Sequence, residues 1–507
     1  MNLAEVGEYW ARWQPEAVAI ATGGVSVTWS RLEDRTRRIA CGLRAIGVRP
    51  GDRVGILGAN SLHWCELALG TMRAGAAVVP LNVRGTTAEL AYLVDNADLA
   101  VIAYDSALAG RYGSLAADRP AVVRVALDDA APADTTMAAL RDRGGELPEI
   151  DIAGADPAVI AFTSGTTGYP KGAVLTHQNL LATINAYTRF EGYSSDTTML
   201  CCVPLAFTGG IVNNFLTAYG VGGTLLLEEF DPARALELIV DRPVNAMTGV
   251  PIMYEAIAAA PGFDEADLSA LTTAITGGAL VPDALLRRYE AKGVQIRQAY
   301  SLTEATGNTT LLPRSHFLSK RDSAGIPGVH TRVRIVDASG VEVATGEVGE
   351  IVIQGPQVSP GYWNDPGATA AAVVDGWLHT GDVGTLDDEG FLRVVDRKKD
   401  MIISGGLNVY PAEIERVVAE FPGVAEVAAV GTGHERWGET VAVVVTGDDL
   451  DLDTLYQHCR ENLADYKVPR YITHRGQPLP RGMSGKILRR VLRDEFDAAG
   501  AHRTAAR

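Results

Sequence analysis

No two cysteines in this chain stand at a metal-ligating spacing, and there are only five: Cys41, Cys65, Cys201, Cys202 and Cys459. Zinc fingers, zinc ribbons and iron–sulfur sites need clustered thiolates, so those classes are excluded. An odd count without a secretory leader points to reduced thiols and a cytoplasmic setting rather than a disulfide framework. Positive charge is also short: 45 Lys and Arg stand against 62 Asp and Glu, a formal net charge of -17. That balance argues against non-specific binding to nucleic acid or to an anionic membrane. A long lipid-facing run is missing as well. The longest uncharged stretch, 197–227, contains Pro204, Asn213, Asn214 and five glycines, and reads as strand, loop and helix, so no integral membrane segment is expected. The first residues, "MNLAEVGEYWARWQPEAVAI", lack a basic region, an apolar stretch and a small-residue cleavage site, so no signal peptide is expected.

What is present spreads over 507 residues, 47% apolar and 21% charged. That length exceeds one ordinary core, and two or more globular domains are expected. In the first two thirds, short apolar runs end in turn residues and read as strands: "RVGILGAN", "AAVVPLN", "LAVIAYD", "AVIAFTSG", "TMLCCVPL" and "GTLLLEEF". Between them "SRLEDRTRRIACGLRAIG" and "DPARALELIVD" read as helices, the second opening on Asp231 as a cap and Pro232 in the first turn. This alternation predicts an α/β fold with parallel, helix-covered sheets and ligands at the carboxyl ends of strands. From residue 325 closely spaced strands with Gly/Asp turns predict a β-rich subdomain, and after Lys399 a compact α+β region follows. Charge crowds into Asp396–Asp400, so the boundary is placed there, giving a large domain over 1–396 and a small mobile one over 397–507.

The stretch "FTSGTTGYPKG", Phe162–Gly172, has the composition of a phosphate loop. Its glycines let backbone N–H groups approach anionic oxygens, and its hydroxyls add donors. The Walker spacing fails, because counting from Gly165 puts Pro170 where a glycine belongs, and Lys171 precedes Gly172 rather than Ser or Thr. A bare Gly/Ser/Thr stretch taken alone favours a flexible surface loop over a phosphate site. Four further stations change the weighing: "QAYSLTEATG" (298–307), "WLHTGD" (377–382), "DRKKDMIISGGLNVYPAEIE" (396–415) and "RGMSGKIL" (481–488). Together and in this order, over about residues 5 to 495, they resemble the adenylate-forming superfamily of acyl-CoA synthetases, firefly luciferases and peptide-synthetase adenylation domains.

The resemblance implies an enzyme that joins a carboxylate to the α-phosphate of ATP, releases pyrophosphate, and passes the acyl group to a thiol. Two anions must meet, so charge neutralisation is the expected catalytic device. Thr163, Ser164, Gly165, Thr166, Thr167, Gly168 and Lys171 match the loop that holds the β- and γ-phosphates. Tyr300 matches the ring against adenine, with Gly277, Gly278 and Ala279 in the same pocket and Ala299 and Ser301 beside it. Thr303 matches a phosphate contact, and Glu304 matches the carboxylate that helps to hold Mg²⁺, a hard cation. Asp382 matches the acid on the ribose hydroxyls, and Arg397 also reaches the ribose. Lys486 matches the lysine that bridges carboxylate and α-phosphate. Lys399 falls at the hinge of the C-terminal domain, and Ser404, Gly405 and Gly406 match a turn beside the pantetheine tunnel of CoA, where a side chain would obstruct the thiol. Thr163, Lys171, Glu304 and Lys486 are the expected catalytic group; ATP, Mg²⁺ and coenzyme A are the expected cofactors.

The sequence departs from the family pattern at "PLAFTGG", where Phe207 takes the position of the usual His, and at Ser301, which replaces a usual Gly. The implied acyl pocket comprises Phe207, Gly210, Asn214, Thr248, Val250, Gly278, Ala299, Ser301, Leu302 and Thr306. Apart from Glu304 it carries no acid to pair an ammonium, which argues against α-amino acids. It carries no Arg either, though Arg297 and Arg314 lie near enough in sequence to keep a diacid open. The expected substrate is a medium- or long-chain fatty acid. The alternative is an aromatic acid of the cinnamate, coumarate, ferulate or benzoate type, with Asn213, Asn214 or Asn308 meeting a ring hydroxyl. A stand-alone enzyme that loads a carrier protein ranks third, and a non-catalytic binding protein last. The partners expected are the small acid, ATP and CoA, with no nucleic acid, and a homodimer is left open.

Overall fold

A computed structural model describes residues 2–128, 133–143, 150–163, 170–278, 281–398, 400–404, 407–434, 438–448, 450–482 and 486–499. The chain forms two compact units. The first comprises Met1–Val333, Ile353–His379 and Gly390–Leu392; the second comprises Arg334–Val352, Thr380–Glu389 and Arg393–Arg507. Among the described residues no helix is long and apolar enough to cross a membrane.

The first unit holds two large sheets. The seven-stranded one runs Thr135–Thr136, Val123–Ala126, Val101–Tyr104, Arg53–Leu57, Ala77–Leu81, Pro157–Thr163, Lys171–Thr176. All its pairings are parallel except the last, where Pro157–Thr163 and Lys171–Thr176 run antiparallel with Thr163 opposite Lys171. The nine-stranded sheet has a parallel centre and antiparallel margins, one margin pairing Ile296–Leu302 with Gly307–Leu311. All six apolar runs singled out from the sequence are strands of these sheets.

Helix starts follow local chemistry. Asp231 accepts from the Arg234 N–H at 2.7 Å and Pro232 begins the helix Pro232–Asp241. Thr176 and Asn179 form a reciprocal capping box at the start of His177–Glu191. The uncharged stretch after residue 197 is a strand (Thr198–Cys201), a helical segment and a second strand (Thr224–Leu227). Within that segment Ile211–Leu216 adopts π-helical turns, so Asn213 and Asn214 both lie in the interior, 5% and 0% exposed. Trp29, Trp64, Phe215 and Leu180 sit in the core that surrounds it.

In the second unit the strands Leu407–Val409, Ile402–Ser404, Gly438–Gly447 and Val424–His434 form one sheet, with Tyr471–His474 beside Gly438–Gly447. Helices Pro411–Ala419 and Leu452–Asn462 contribute Ile414, Val418 and Leu455 to one core. Helix Arg489–Ala499 contributes Leu492 and Phe496 to another. Asp396 ties this unit together: its carboxylate accepts from Arg397 N–H at 2.7 Å and from Ala412 N–H at 2.8 Å, capping the helix Pro411–Ala419. Burial raises the Asp396 pKa.

Candidate active site

Strand Pro157–Thr163 ends at the suspected phosphate loop, and the chain returns as strand Lys171–Thr176. The stretch is therefore a hairpin connection, whereas a Walker loop leads into a helix. Ser164, Gly165, Thr166, Thr167 and Gly168 lie outside the described residues, as do Ala279, Lys399, Gly405 and Gly406. The two ends of the loop are described. Thr163 Oγ1 donates to Glu304 Oε1 at 3.2 Å and lies 3.4 Å from the Lys171 carbonyl.

Glu304 comes from a different sheet edge. It sits in the single turn Thr303–Ala305 that connects Ile296–Leu302 to Gly307–Leu311. Next to it Thr303 Oγ1 meets Thr208 Oγ1 at 2.9 Å, which fastens the turn to the segment that follows Phe207. A second hydroxyl also reaches Glu304: Tyr362 OH donates to Oε1 at 2.9 Å. Burial raises the Tyr362 pKa, and the Glu304 charge adds to the rise, so the phenol stays protonated as a donor. Lys171 Nζ stands 5.4 Å from the centre of the Tyr362 ring, within cation–π range. Thr163, Lys171, Glu304 and Tyr362 thus form one cluster. Tyr362 is the member that sequence reasoning missed; its only signal was an aromatic pair in "SPGYW".

Both hydrogen bonds to Glu304 end on Oε1, and among the described residues none reaches Oε2. A carboxylate fixed through one oxygen and open at the other suits a hard divalent cation.

Tyr300 and Ala299 are buried on strand Ile296–Leu302, 7% and 6% exposed. Ser301 pairs across the hairpin with Asn308, so their side chains share a face of the sheet. Asn308 Oδ1 accepts from Asn213 Nδ2 at 3.4 Å. Asn213 Oδ1, Asn214 Oδ1 and Asn308 Nδ2 are buried without a hydrogen-bond partner among the described residues. Asn214 Nδ2 donates to the Gly209 carbonyl at 2.7 Å. Gly210 is small for a packing reason: a Cβ there would lie 2.2 Å from the Pro204 carbonyl oxygen. Thr248 and Thr306 are buried, Val250 is 41% exposed, and Thr306 holds a left-handed backbone at φ 53°. Phe207 precedes the short helix Thr208–Gly210, and its carbonyl accepts from Gly210 and Ile211 N–H, both at 2.9 Å. Gly278 follows strand Thr273–Gly277, and Leu302 ends the strand Ile296–Leu302 that pairs parallel to it.

Arg297 does not serve a second carboxylate. It is 1% exposed and forms a two-pronged pair with Glu191, itself 0% exposed, with Arg297 Nη1 2.6 Å from Oε1. Arg314 donates to Thr273 Oγ1 at 2.6 Å and stands 3.6 Å from Glu191. The diacid option that their sequence positions left open finds no cation in either residue.

In the second unit, Arg397 Nε stands 3.2 Å from Asp382 Oδ1. Asp382 is 8% exposed, and its N–H bonds Thr380 Oγ1 at 3.0 Å. Lys398 donates to Glu350 at 3.0 Å, and Glu350 in turn accepts from Gly381 N–H at 3.1 Å. This frame fixes the turn before Asp382. Ser404 is buried at the end of its strand. Lys486 has an exposed side chain, and its carbonyl accepts from Gly482 N–H at 2.8 Å. Three residues on, Arg489 grips Glu415 at 2.8 Å and Asp400 at 3.5 Å, anchoring the segment that carries Lys486.

The five cysteines are all buried and none is in a disulfide, and burial pushes Cys202 up to about 12 and Cys459 to about 11. Neither has the lowered pKa of a nucleophile.

Comparison with known proteins identifies the family. Residues 7–363 match the AMP-binding enzyme family, and residues 413–486 match the AMP-binding enzyme C-terminal domain. A feruloyl-CoA synthase from Amycolatopsis is 41% identical over 491 residues, 96% of this chain and 97% of the relative. The long-chain-fatty-acid–CoA ligase FadD13 of Mycobacterium tuberculosis is 35% identical, covering 94% of each chain. Among solved structures, o-succinylbenzoate coenzyme A synthetase from Bacillus subtilis, in complex with ATP and magnesium ion, superposes with a TM-score of 0.86 at 28% identity. That match covers 96% of this chain and 98% of the other.

Proposed function

The chain belongs to the AMP-binding enzyme family, among its ATP-dependent, AMP-forming acyl-CoA ligases, and from that premise we propose that it activates a hydroxylated aromatic acid of the cinnamate type. The supporting observation is the amide group beside the acyl strand. Asn308 shares a face with Ser301 and meets Asn213, and these side chains leave buried polar atoms unmatched. A buried polar atom without a partner costs about 1–3 kcal/mol. A ring hydroxyl or methoxy oxygen relieves that cost; an alkyl chain does not. The 41% identity to a feruloyl-CoA synthase supports the same reading.

The proposed chemistry follows from charge. The acid's carboxylate attacks the α-phosphorus of ATP, pyrophosphate leaves, and the acyl-adenylate then yields its acyl group to the CoA thiol with release of AMP. Thr163, Lys171 and the loop between them hold the β- and γ-phosphates; Lys171 is the fixed cation, steadied over Tyr362. Thr303 adds a phosphate contact. Glu304 would hold Mg²⁺, which would supply neutralisation of phosphate charge. Tyr300, with Gly277 and Gly278, receives adenine, and Asp382, oriented by Arg397, accepts the ribose hydroxyls. Lys486 offsets the charge of the attacking carboxylate and α-phosphate in the first half-reaction. Ser404 and the glycines after it border the thiol path, with Lys399 as the hinge. Division of the chain at 396/397 belongs to this reading.

A fatty acid is the second reading, supported by the uncharged lining and the 35% identity to a long-chain ligase. The discriminating experiment is mass-spectrometric detection of the thioester from a panel of acetate to palmitate plus benzoate, cinnamate and ferulate. Ferulate or its close relatives should give the highest kcat/KM. A preference for palmitate over every aromatic acid would replace the first reading by the second.

A further inference from the structure

We propose that Tyr362 is a positioning residue for the reaction: its hydroxyl sets the Glu304 carboxylate so that Oε2 is presented to the metal–nucleotide. The inference rests on the reading of Glu304 as the metal-holding carboxylate. Tyr362 lies on a segment fixed on both sides. Ala173 and Tyr362 form an antiparallel bridge, Val174 N–H donates to the Gly361 carbonyl at 3.0 Å, and Trp363 N–H donates to the Gly172 carbonyl at 2.7 Å. Tyr362 N–H donates to Thr369 Oγ1 at 2.9 Å. The same segment holds the Glu304 backbone, because Ser359 N–H donates to the Glu304 carbonyl at 2.8 Å, and Ser359 Oγ donates to the Val174 carbonyl at 2.7 Å. Main chain and side chain of Glu304 are therefore held from one strap that is itself laced to the strand beginning at Lys171.

The hydrogen bond removes rotational freedom from the carboxylate. Tyr362 OH at 2.9 Å and Thr163 Oγ1 at 3.2 Å converge on Oε1, which fixes the carboxylate plane and leaves Oε2 as its remaining donor atom. Groups that orient a metal ligand typically change metal affinity by about 10- to 100-fold when removed. The ring acts separately from the hydroxyl, carrying Lys171 on its face, 5.4 Å from the ring centre. Mutation can remove the hydroxyl and keep the ring, which separates the two contributions.

The test is calorimetric binding of ATP to the full chain, with excess Mg²⁺ and separately with EDTA, without any acid substrate. Tyr362→Phe keeps the ring and loses the hydroxyl, so it should weaken binding with Mg²⁺ roughly tenfold and leave binding in EDTA unchanged. Glu304→Gln should show the same selectivity, and the double variant should be no weaker than Glu304→Gln alone. Tyr362→Leu should weaken binding in EDTA as well, because Lys171 loses its seat. If Tyr362→Phe binds like the parent in Mg²⁺, or the double variant multiplies the two single effects, the positioning role is overturned while Glu304 keeps its assignment. If Glu304→Gln itself shows no selective loss in Mg²⁺, the metal-holding reading falls and the positioning role falls with it.

Discussion

Arg297 and Glu191 face each other across the core of the first unit as a two-pronged ion pair with both side chains sealed from solvent. The pair joins the last residue of helix His177–Glu191 to the strand that carries Tyr300 and Ser301. Removing Arg297 leaves the buried Glu191 carboxylate with Arg314, at 3.6 Å, as its remaining cation, a loss of up to about 3–5 kcal/mol. Arg297→Ala should therefore lower the unfolding free energy by about that much in urea titration. It should not alter the order of preference among monocarboxylic acids, and malonate should not be a substrate of the parent protein. A change in acid ranking without a change in stability would return Arg297 to substrate recognition.

His177 gives the fold a pH dependence. Its ring is 1% exposed, and Nδ1 accepts from the Leu3 N–H at 3.2 Å. Burial lowers its pKa to about 4, whereas the unfolded chain takes up the proton near pH 6.5. This contribution is thus complete above the unfolded value and is lost as pH falls from 6.5 towards 4. Between pH 7 and pH 5 the loss amounts to about 2 kcal/mol. His177→Gln should flatten the stability–pH curve in that window; an unchanged slope would remove His177 as its source.

Gly307 bears on the proposed reading of the acid pocket. Its φ is +99°, and a Cβ there would lie 2.2 Å from Asn213 Oδ1. Gly307→Ala should push Asn213 away from Asn308 and add backbone strain of about 1–3 kcal/mol. The account predicts a larger loss in kcat/KM for ferulate than for cinnamate, which has no ring oxygen. Equal losses for both acids would mean that the amides do not read the ring substituent.

On the proposed reading, Lys486 serves the first half-reaction and not the second. Lys486→Ala should slow acyl-adenylate formation by about 10²–10³-fold, the scale of losing one stabilising charge contact. Conversion of supplied acyl-adenylate by CoA should continue at near the parent rate. Equal loss in both steps would refute the assignment.

The strands and helix caps were readable because their causes are local. Asp231 before Pro232 states a helix start within two residues, and "RVGILGAN" states a buried strand by composition alone. The family stations were readable because their chemistry is written in short motifs. Three features were not. The π-helical turns at Ile211–Leu216 come from tertiary packing and leave no periodic signature that bears on residues 213 and 214. Arg297 looked available for a substrate because its partner lies 106 positions away in the chain. Tyr362 looked like an ordinary aromatic because Glu304 is 58 residues distant and meets it only through sheet packing. Short motifs marked Thr163, Lys171 and Glu304 in the sequence; only the fold shows that Tyr362 joins them.

The most direct test of the account is product analysis of ATP turnover with ferulate, in the presence and absence of CoA. The account predicts AMP and pyrophosphate in equal amounts, strict dependence on the acid, and a higher rate when CoA is present, with feruloyl-CoA accumulating in step with AMP. Formation of ADP and phosphate, turnover without any acid, or AMP formation that CoA does not accelerate for any acid of the panel would contradict it.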